Sequence, residues 1–417
     1  MEKIKIGVFG AGRGMDIARN FMLLGCDIVA LCDNHKERRE AAAAKLDKSA
    51  AIYDNFDEFI EHDMDAVIVA NYFHEHAPYT IRLLEKGIHV FGECISNGTM
   101  AEGVELIEAF ERCKDRAIYM LAENYPQMRF NREIKRICDS GTLGKFLYAE
   151  GEYNHPTSPF DTAFKKRYNY FEAHWRNYIP RAYYVTHSMG PIMWATGATP
   201  KKVTAFGIYN PETDENAPTA CNVGDCAAVI TTQNDDGSVF RFTGCASYGA
   251  HHNAYRVCGV NGQVENLRGM DGKVALRYNA WSKPTEDTPE ESLYMPQWND
   301  PDEDLINQGG HGGGDYLTAR MFLECIRENR QPEHPFDIYS AVNMSSVGIL
   351  AHRSILNGGE TYDIPDFRTK EGRDQYRDDR ETPFYGENGM VPTIPCCTHP
   401  EYKPTAKQIE LFNECIK

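Results

Sequence analysis

The stretch that decides the fold is residues 5–33, KIGVFGAGRGMDIARNFMLLGCDIVALCD. An apolar run enters a glycine-rich turn, a helical pattern follows, and a second apolar run ends at an acidic residue, Asp33. This is the order of strand, phosphate loop, helix, strand and ribose-binding acid in a dinucleotide site. The stretch therefore predicts a nucleotide-binding unit, and the structural alternative is a βαβ turn that binds no nucleotide.

Each position of the loop has a physical role in this prediction. Gly10 permits the tight turn, and Gly12 lets the backbone approach a pyrophosphate that the N-terminus of the next helix attracts. Asp33 would accept hydrogen bonds from both adenosine ribose hydroxyls and repel a 2′-phosphate, so it favours NAD over NADP. The third glycine comes one residue early, at Gly14, and Met15 stands in its usual place. The cofactor-binding residues predicted from this stretch are Gly10, Gly12, Arg13, Gly14, Met15 and Asp33.

The rest of the chain predicts two sheets of different kinds. Alternating strand and helix patterns up to about residue 122 predict a doubly wound parallel sheet, that is, an α/β Rossmann domain. Beyond Gly144, longer alternating runs predict a large, mostly antiparallel open sheet in an α+β domain, and residues 286–291 are expected to form a solvated loop. The predicted domains are residues 1–123 for NAD binding, 124–368 for substrate binding, and 369–417 as a surface-wrapping tail with a short helix.

Composition limits the classes of partner. The 417 residues carry 44 basic and 61 acidic side chains, a net charge of −17, which disfavours nucleic acid and anionic membrane surfaces. A small carbohydrate substrate is expected instead. The N-terminus lacks an apolar leader and no run reaches the roughly 18 apolar residues of a membrane span, so a cytoplasmic protein is expected. Thirteen scattered cysteines indicate reduced thiols, and their spacing predicts no metal site.

Several motifs beyond the glycine loop connect the chain to a known family. They are residues 74–78 (HEHAP), 87–90 (GIHV), 92–93 (GE) and 140–144 (SGTLG). With the loop and Asp33, they resemble the glucose-fructose oxidoreductase and inositol dehydrogenase family, Gfo/Idh/MocA, over roughly the whole chain. The resemblance implies that Glu93 contacts the nicotinamide ribose and that His76 lies near it. It does not fix the chemistry, because one fold supports many reactions.

Two departures from that family concern the acid/base residues. Family dehydrogenases follow the strand with Glu-Lys-Pro, whereas this chain reads Glu93-Cys94-Ile95, so the lysine that handles the substrate hydroxyl is absent. Those enzymes also place an aspartate four residues before a histidine, whereas here Tyr183 stands four residues before His187. Either the enzyme is inactive or other side chains transfer the protons.

Five separated blocks indicate which side chains could do so: residues 121–124 (LAEN), 151–155 (GEYNH), 175–176 (WR), 184–191 (YVTHSMGP) and 309–316 (GGHGGGDY). They resemble the NAD-dependent glycoside hydrolase branch of the family, of the α-N-acetylgalactosaminidase type, which also lacks the lysine. By this resemblance Tyr153 or His155 would take the proton from C2 of a sugar. Tyr184 and His187 would serve the C3 hydroxyl or the leaving group. Residues expected to contact substrate are Glu123, Arg176, which would bind sugar hydroxyls or stabilise enolate charge, and His311.

Each of these residues also has a structural interpretation. A single tyrosine or histidine in a sheet is most often a packed residue with a satisfied hydrogen bond, and Glu123 could serve as a local cap.

Three functions therefore stay open at this point. The chain would be an NAD-dependent glycoside hydrolase, a sugar or cyclitol dehydrogenase, or a silent NAD-dependent sugar-binding protein. A homo-oligomer formed through the open sheet is expected from the architecture.

Overall fold

The protein is described by a computed structural model for residues 3–169, 171, 174–220, 224–270, 272–386 and 391–417. Its first domain contains six strands in the order β3-β2-β1-β4-β5-β6, and all of its strand pairs are parallel. The central strand β4 is buried at every residue, as its apolar sequence predicted. The strands are β1 (Lys5–Phe9), β2 (Asp27–Cys32), β3 (Ala51–Tyr53), β4 (Ala66–Val69), β5 (His89–Gly92) and β6 (Tyr119–Leu121).

A second sheet of nine strands follows, in the order β14-β13-β12-β11-β7-β10-β9-β8-β15. Of the strand pairs in the described part of this sheet, only β7–β10 is parallel, and the predicted fold class is therefore confirmed. The strands are β7 (Phe146–Asn154), β8 (Pro200–Tyr209), β9 (Asp225–Asn234), β10 (Val239–Ala246), β11 (His252–Gly259), β12 (Gly262–Asn266), β13 (Val274–Tyr278), β14 (Glu291–Tyr294) and β15 (Tyr362–Asp363).

Helices cover both faces of the first sheet and one face of the second. They are α1 (Arg13–Leu23), α2 (Lys36–Ala43), α3 (Phe56–Phe59), α4 (His76–Glu85), α5 (Met100–Cys113), α6 (Arg129–Asp139), α7 (Thr162–Tyr168), α8 (Thr186–Thr196), α9 (Glu303–Ile306), α10 (Gly314–Glu328), α11 (Ile338–Leu356), α12 (Lys370–Asp374) and α13 (Ala406–Ile416). In the second sheet, α8 packs against β7 and α11 against β8.

Two elements had no clear signal in the sequence. Helix α7 buries none of its residues, so it has no apolar stripe, and only the Asp161 cap on the Phe164 N–H marks its start. Strand β14 begins at Glu291, which the sequence analysis assigned to a loop, and it lies at the edge of the sheet, where polar residues meet solvent.

The C-terminal half of the chain also contributes residues to the first domain. Helix α10 packs on α1, and Phe322 lies edge-on to Phe21 with 6.1 Å between ring centroids. Residues from the C-terminal half thus complete the core of the NAD-binding domain. The predicted domain boundaries at residues 123 and 368 stay predictions.

The segment after residue 369 runs over α5. Arg377 binds Glu108 with two hydrogen bonds of 2.8 and 3.1 Å, and Arg373 binds Glu111 at 2.9 Å. Further along, the Phe384 ring stacks on His74 at 4.5 Å. The segment therefore holds the outer face of α5 and reaches the wall behind the cleft described below.

The described cysteines and helices bear on two expectations. Twelve cysteines are described and all are free thiols, eight of them buried; Cys221 lies outside the described residues. Within the described ranges, none of the helices combines the length and apolarity that crossing a bilayer requires.

We predict that two buried histidines destabilise the fold in acid. Burial lowers the pKa of His74 and His352 to about 4, against about 6.5 in the unfolded chain. Above pH 6.5 both states are neutral; between pH 6.5 and 4 only the unfolded state takes up these protons, so stability is lost as pH falls. The variant His352→Gln, which retains an N–H for the Pro395 carbonyl, should reduce this loss by about 3 kcal/mol.

Urea unfolding of the wild type and variant at pH 7.5, 5.5 and 4.5 measures the effect. The matched control is His62→Gln, whose histidine is only partly buried. An unchanged pH dependence in His352→Gln would show that burial of this histidine is not the cause.

Candidate active site

A single cleft of about 680 Å³ brings together most of the predicted site residues. It lies at the carboxyl ends of the parallel strands, where ligands bind in open α/β sheets, and the second sheet forms its other wall. Of the fifteen predicted residues, all but Glu123, Gly14 and Met15 line it. Those that do are Gly10, Gly12, Arg13, Asp33, His76, Glu93, Tyr153, His155, Arg176, Tyr184, His187 and His311.

The glycine loop has the shape that a dinucleotide needs. Gly10 has φ +101°, and a Cβ there would lie 2.2 Å from the Ala70 carbonyl oxygen, so only glycine fits. A Cβ at Gly14 would lie 2.8 Å from Val8 Cγ1, so Gly14 provides the close packing of helix on strand usually given by the third glycine. Met15 is buried behind the loop.

Asp33 stands at the end of β2, beside that loop. Its carboxylate accepts the backbone N–H of Ala11 at 2.7 Å and of His35 at 2.8 Å. These bonds fix the side chain at the edge of the cleft, where its remaining lone pairs suit ribose hydroxyls. The chain's own residues therefore fit NAD.

The centre of the cleft contains a hydrogen-bonded chain of three side chains. Glu123 is fully buried, and both of its carboxylate oxygens lie 2.9 Å from Nδ1 of His187. A carboxylate only accepts, so His187 Nδ1–H donates to it and leaves Nε2 as the acceptor. Nε2 lies 3.1 Å from the Tyr184 hydroxyl, which donates. Glu123 thus orients His187 and does not itself line the cleft.

A second pair of polar rings, Tyr153 and His155, stands on β7 and just after it. Burial raises the pKa of Tyr153 well above its ordinary value, and the neighbouring Tyr184 adds to this. Burial lowers the pKa of His155, and the nearby His251 and Arg176 lower it further. At neutral pH, Tyr153 is therefore a proton donor, and His155 is a neutral imidazole able to accept a proton.

The position of the missing lysine is occupied by a thiol that cannot replace it. Cys94 is buried, and its Sγ–H and backbone N–H both donate to Glu93 Oε2, at 3.0 and 2.7 Å. Burial and the charges of Glu93 and Glu123 hold the pKa of the Cys94 thiol well above its usual value. Burial would also raise the pKa of Glu93, but Arg13 and Cys94 outweigh it, so that Glu93 stays ionised.

Arg176 and His311 also line the cleft. The Arg176 guanidinium lies 4.4 Å from the Trp175 ring, and its charge acts on both Tyr184 and His155. His311 has φ +53° and donates from Nδ1 to Asp315 Oδ2 at 3.0 Å. The N–H groups of Arg176 and the second ring nitrogen of His311, Nε2, stand at the border of the cleft and suit sugar hydroxyls.

His76 lies deeper, at the start of α4. Its Nδ1–H donates to the Ile95 carbonyl at 2.8 Å, and burial lowers its pKa. It is therefore a neutral ring that borders the cleft near Glu93.

Sequence reasoning missed several residues of the site. Tyr125 stacks on His187 with 4.2 Å between centroids, and Trp175 stacks on Phe73 at 4.8 Å. Asp315 and Asn124 bind each other at 2.5 Å beside the cleft. Asn124 and Asp315 did lie inside quoted motifs, but only long-range contacts give them partners. Among the described residues, no three His, Cys, Asp or Glu side chains form a group that could hold a metal.

Comparison with known sequences gives the family. Residues 133–373, more than half of the chain, match the family model described as "Glycosyl hydrolase 109, C-terminal domain". Residues 4–120 match "Oxidoreductase family, NAD-binding Rossmann fold", which confirms NAD as the cofactor and the chain as an NAD-dependent enzyme.

Individual relatives are distant but nearly full-length. An alpha-N-acetylgalactosaminidase of Shewanella oneidensis is 24% identical over 88% of this chain and 85% of its own. A glycosyl hydrolase family 109 protein of Streptomyces niveus is 25% identical over 87% of this chain and 77% of its own.

Solved structures share the fold. A levoglucosan dehydrogenase in complex with NADH and levoglucosan has a TM-score of 0.70 at 16% identity, covering 87% of this chain and 100% of its own. The myo-inositol 2-dehydrogenase of Lactobacillus plantarum has a TM-score of 0.64 at 18% identity, covering 87% of this chain and 99% of its own.

We predict that Cys94 is chemically inert in the native protein. Iodoacetamide at pH 8 should alkylate it at least about tenfold more slowly than the partly exposed Cys415, because alkylation needs an accessible thiolate. Peptide mass spectrometry measures both rates, and urea-unfolded protein, in which the rates should converge, is the control. Equal rates in the native state would mean that Cys94 is available for chemistry.

Proposed function

The chain belongs to glycosyl hydrolase family 109, and from that premise we propose that it is an NAD-dependent glycoside hydrolase. The proposed reaction oxidises the sugar at C3, removes the C2 proton, eliminates the group at C1, adds water and reduces C3 again. It is redox-neutral overall. The substrate class that this chemistry requires is a glycoside with a free C3 hydroxyl and a hydrogen on C2.

One observation carries the proposal: a second imidazole, His155, lines the same cleft as the hydrogen-bonded pair Tyr184 and His187. The Tyr153 ring contacts both histidines, with its centroid 5.0 Å from that of His187 and 6.0 Å from that of His155. A simple dehydrogenase needs one acid/base group for the hydroxyl that it oxidises. Elimination needs a further base for the carbon acid at C2. The buried Cys94 thiol in place of the family lysine also disfavours an ordinary dehydrogenase.

Bound NAD supplies the hydride acceptor for C3 and returns the same hydride at the end of the cycle. The residues proposed to hold it are those of the glycine loop, with Asp33 at the adenosine ribose and Glu93 and His76 near the nicotinamide ribose. Glu93 is ionised and has lone pairs to accept ribose hydroxyls.

The Glu123–His187–Tyr184 chain handles the proton of the C3 hydroxyl. Tyr184 accepts that proton as it passes its own to His187 Nε2, and Glu123 stabilises the imidazolium that forms. Burial raises the pKa of Tyr184 well above its usual value, so the tyrosine stays neutral before and after the transfer. The same chain then protonates the leaving oxygen at C1.

The C2 proton is taken by a different residue of the same cleft. His155 is the better acceptor of the two candidates there, because Tyr153 would have to ionise against its burial. Arg176 stabilises the enolate charge that develops, and His311 contacts the sugar. Water then adds its oxygen to C1 and its proton to the Tyr184–His187 chain, while His155 returns a proton to C2. The Tyr184–His187 chain gives its proton to the C3 oxygen when C3 is reduced again, so that every group regains its first state.

A panel of α- and β-linked nitrophenyl sugars with catalytic NAD tests the proposal. We expect nitrophenol release without net NADH, and deuterium from D₂O at C2 of the product sugar. Glu123→Gln should lower kcat by about 10²-fold, since the neutral amide leaves the His187 imidazolium without its counter-charge. His155→Asn should stop C2 exchange while Tyr153→Phe retains it. The control is Glu108→Gln on the outer face of α5.

Other outcomes separate the alternatives. Stoichiometric NADH without nitrophenol would make the chain a sugar or cyclitol dehydrogenase, and binding without either product would make it a sugar-binding protein. Hydrolysis with no deuterium at C2 would exclude elimination.

A cytoplasmic homo-oligomer stays part of the proposal. The uncovered face of the nine-stranded sheet exposes Phe206, with 63% of its surface accessible, Ile208 and Val239. On the same face Arg241 and Arg256 both pair with Glu150, at 3.3 and 3.4 Å. An apolar face with internally paired charges suits a second copy of the same face.

We predict that Phe206→Glu weakens this association. A charge at the centre of an apolar interface is left without a partner, so light scattering after gel filtration should show a lower mass than for the wild type. Trp281→Glu, in an exposed loop between β13 and β14, is the control. A wild-type monomer, or an unchanged mass in Phe206→Glu, would exclude this face as the interface.

A further inference from the structure

Arg13 is the first residue of α1, and its side chain binds two carboxylates at the border of the cleft. Its Nε–H donates to Glu93 Oε1 at 3.0 Å, and its two terminal nitrogens bind both oxygens of Asp315 at 3.0 and 2.6 Å. Glu93 directly follows β5 of the first sheet, and Asp315 lies in the first turn of α10. The side chain therefore extends from the glycine loop to the second half of the chain, along the border of the cleft.

Asp315 collects donors from three parts of the chain. Oδ1 accepts from Arg13 and from Asn124 Nδ2 at 2.5 Å, and Oδ2 accepts from Arg13 and from His311 Nδ1 at 3.0 Å. Burial alone would raise its pKa, but the bonds from His311 and Arg13 hold the pKa of Asp315 far below its usual range. A Cβ at Gly310 would lie 2.3 Å from Oδ2, so the glycine-rich loop is shaped around this carboxylate.

The same network continues into the catalytic chain. Asn124 follows Glu123, which orients His187, and precedes Tyr125, which stacks on His187. The Tyr125 N–H donates back to Glu123 Oε1 at 3.2 Å. A shift of Asp315 would therefore move the tripeptide that holds the His187 ring.

We propose that Asp315 is a positioning residue that closes Arg13 over the cofactor cleft, and that this contact sets how long the cofactor is retained. Glu93, Arg13 and Asp315 together are called the Arg13 latch. Arg13 directly follows Gly12, where the pyrophosphate is expected, so a cofactor held behind the side chain leaves only when the bidentate pair opens. Asn124 couples that opening to the position of His187.

The latch gives a physical basis for a redox-neutral cycle. The proposed hydrolase must retain its reduced cofactor until C3 is reduced again, so release has to be slower than turnover. This inference rests on the binding of NAD and not on hydrolysis of a glycoside, and its test needs no sugar.

The rate constant for NADH release measures the latch directly. NADH-loaded protein is mixed with excess NAD, and the loss of bound-NADH fluorescence is followed. Arg13→Gln and Asp315→Asn should each raise the release rate by about tenfold or more, because each removes one half of the bidentate pair. The double variant should release NADH at most about threefold faster than the faster of the two single variants, since both changes break the same contact. Arg13→Lys, which retains the charge, should fall between the wild type and Arg13→Gln.

The matched control is Arg377→Gln, which breaks a bidentate pair with Glu108 far from the cleft. This control should lower the thermal midpoint of unfolding without changing the rate of NADH release. If the latch had a purely structural role, Arg13→Gln would also lower the midpoint and leave the release rate unchanged. During turnover, latch variants should also accumulate free NADH that the wild type does not.

Unchanged release in Arg13→Gln and Asp315→Asn, or independent effects that multiply in the double variant, would overturn the proposal. A wild type that releases no nitrophenol, together with the expected faster NADH release in the variants, would instead contradict the proposed function and leave the latch proposal intact. Arg13→Lys retains the latch charge and provides the readout if either larger change prevents folding.

Discussion

The cleft depends on one constraint: three largely buried carboxylates must all be hydrogen-bonded. Glu93, Glu123 and Asp315 stand close together where the two sheets meet. A buried carboxylate without a partner would take up a proton or destabilise the fold. Arg13 satisfies two of them and His187 the third. Because the partners come from both halves of the chain, the same bonds that satisfy the charges also hold the NAD-binding loop against the sugar side of the cleft.

This constraint also explains how the site works without the family lysine. With Cys94 neutral and hydrogen-bonded to Glu93, the position of the family lysine carries no cation. In the proposed reaction the protons pass to His187 and His155, which differ in their surroundings. One ring is bonded to a buried carboxylate, and the other is buried near positive charge. Two imidazoles in opposite electrostatic environments suit a reaction in which one atom of the substrate gains a proton while another atom loses one.

The elements that could be predicted from the sequence are those with a strong local pattern of apolar residues. Buried parallel strands such as residues 66–69 and the long helix at residues 338–356 have continuous or periodic apolar residues, which indicate the type of element directly. Helix α7 and strand β14 bury little of their surface, so their sequences contain no such pattern. The site residues were recognised by type and motif, as with Tyr184 and His187, but Tyr125 and Asp315 gave no signal by themselves.

The sequence by itself determined the dinucleotide loop, the ribose acid and the two kinds of sheet, because these depend on neighbours along the chain: glycines in a turn, apolar periods, and an acid at a strand end. Only the tertiary structure decided that Arg13 binds Asp315, that Glu123 orients His187, and that Gly14 replaces the third glycine by packing on Val8. Arg13 and Asp315 are 302 positions apart. Which side chains meet over such distances is set by the packing of the two sheets, and local sequence contains no record of that geometry.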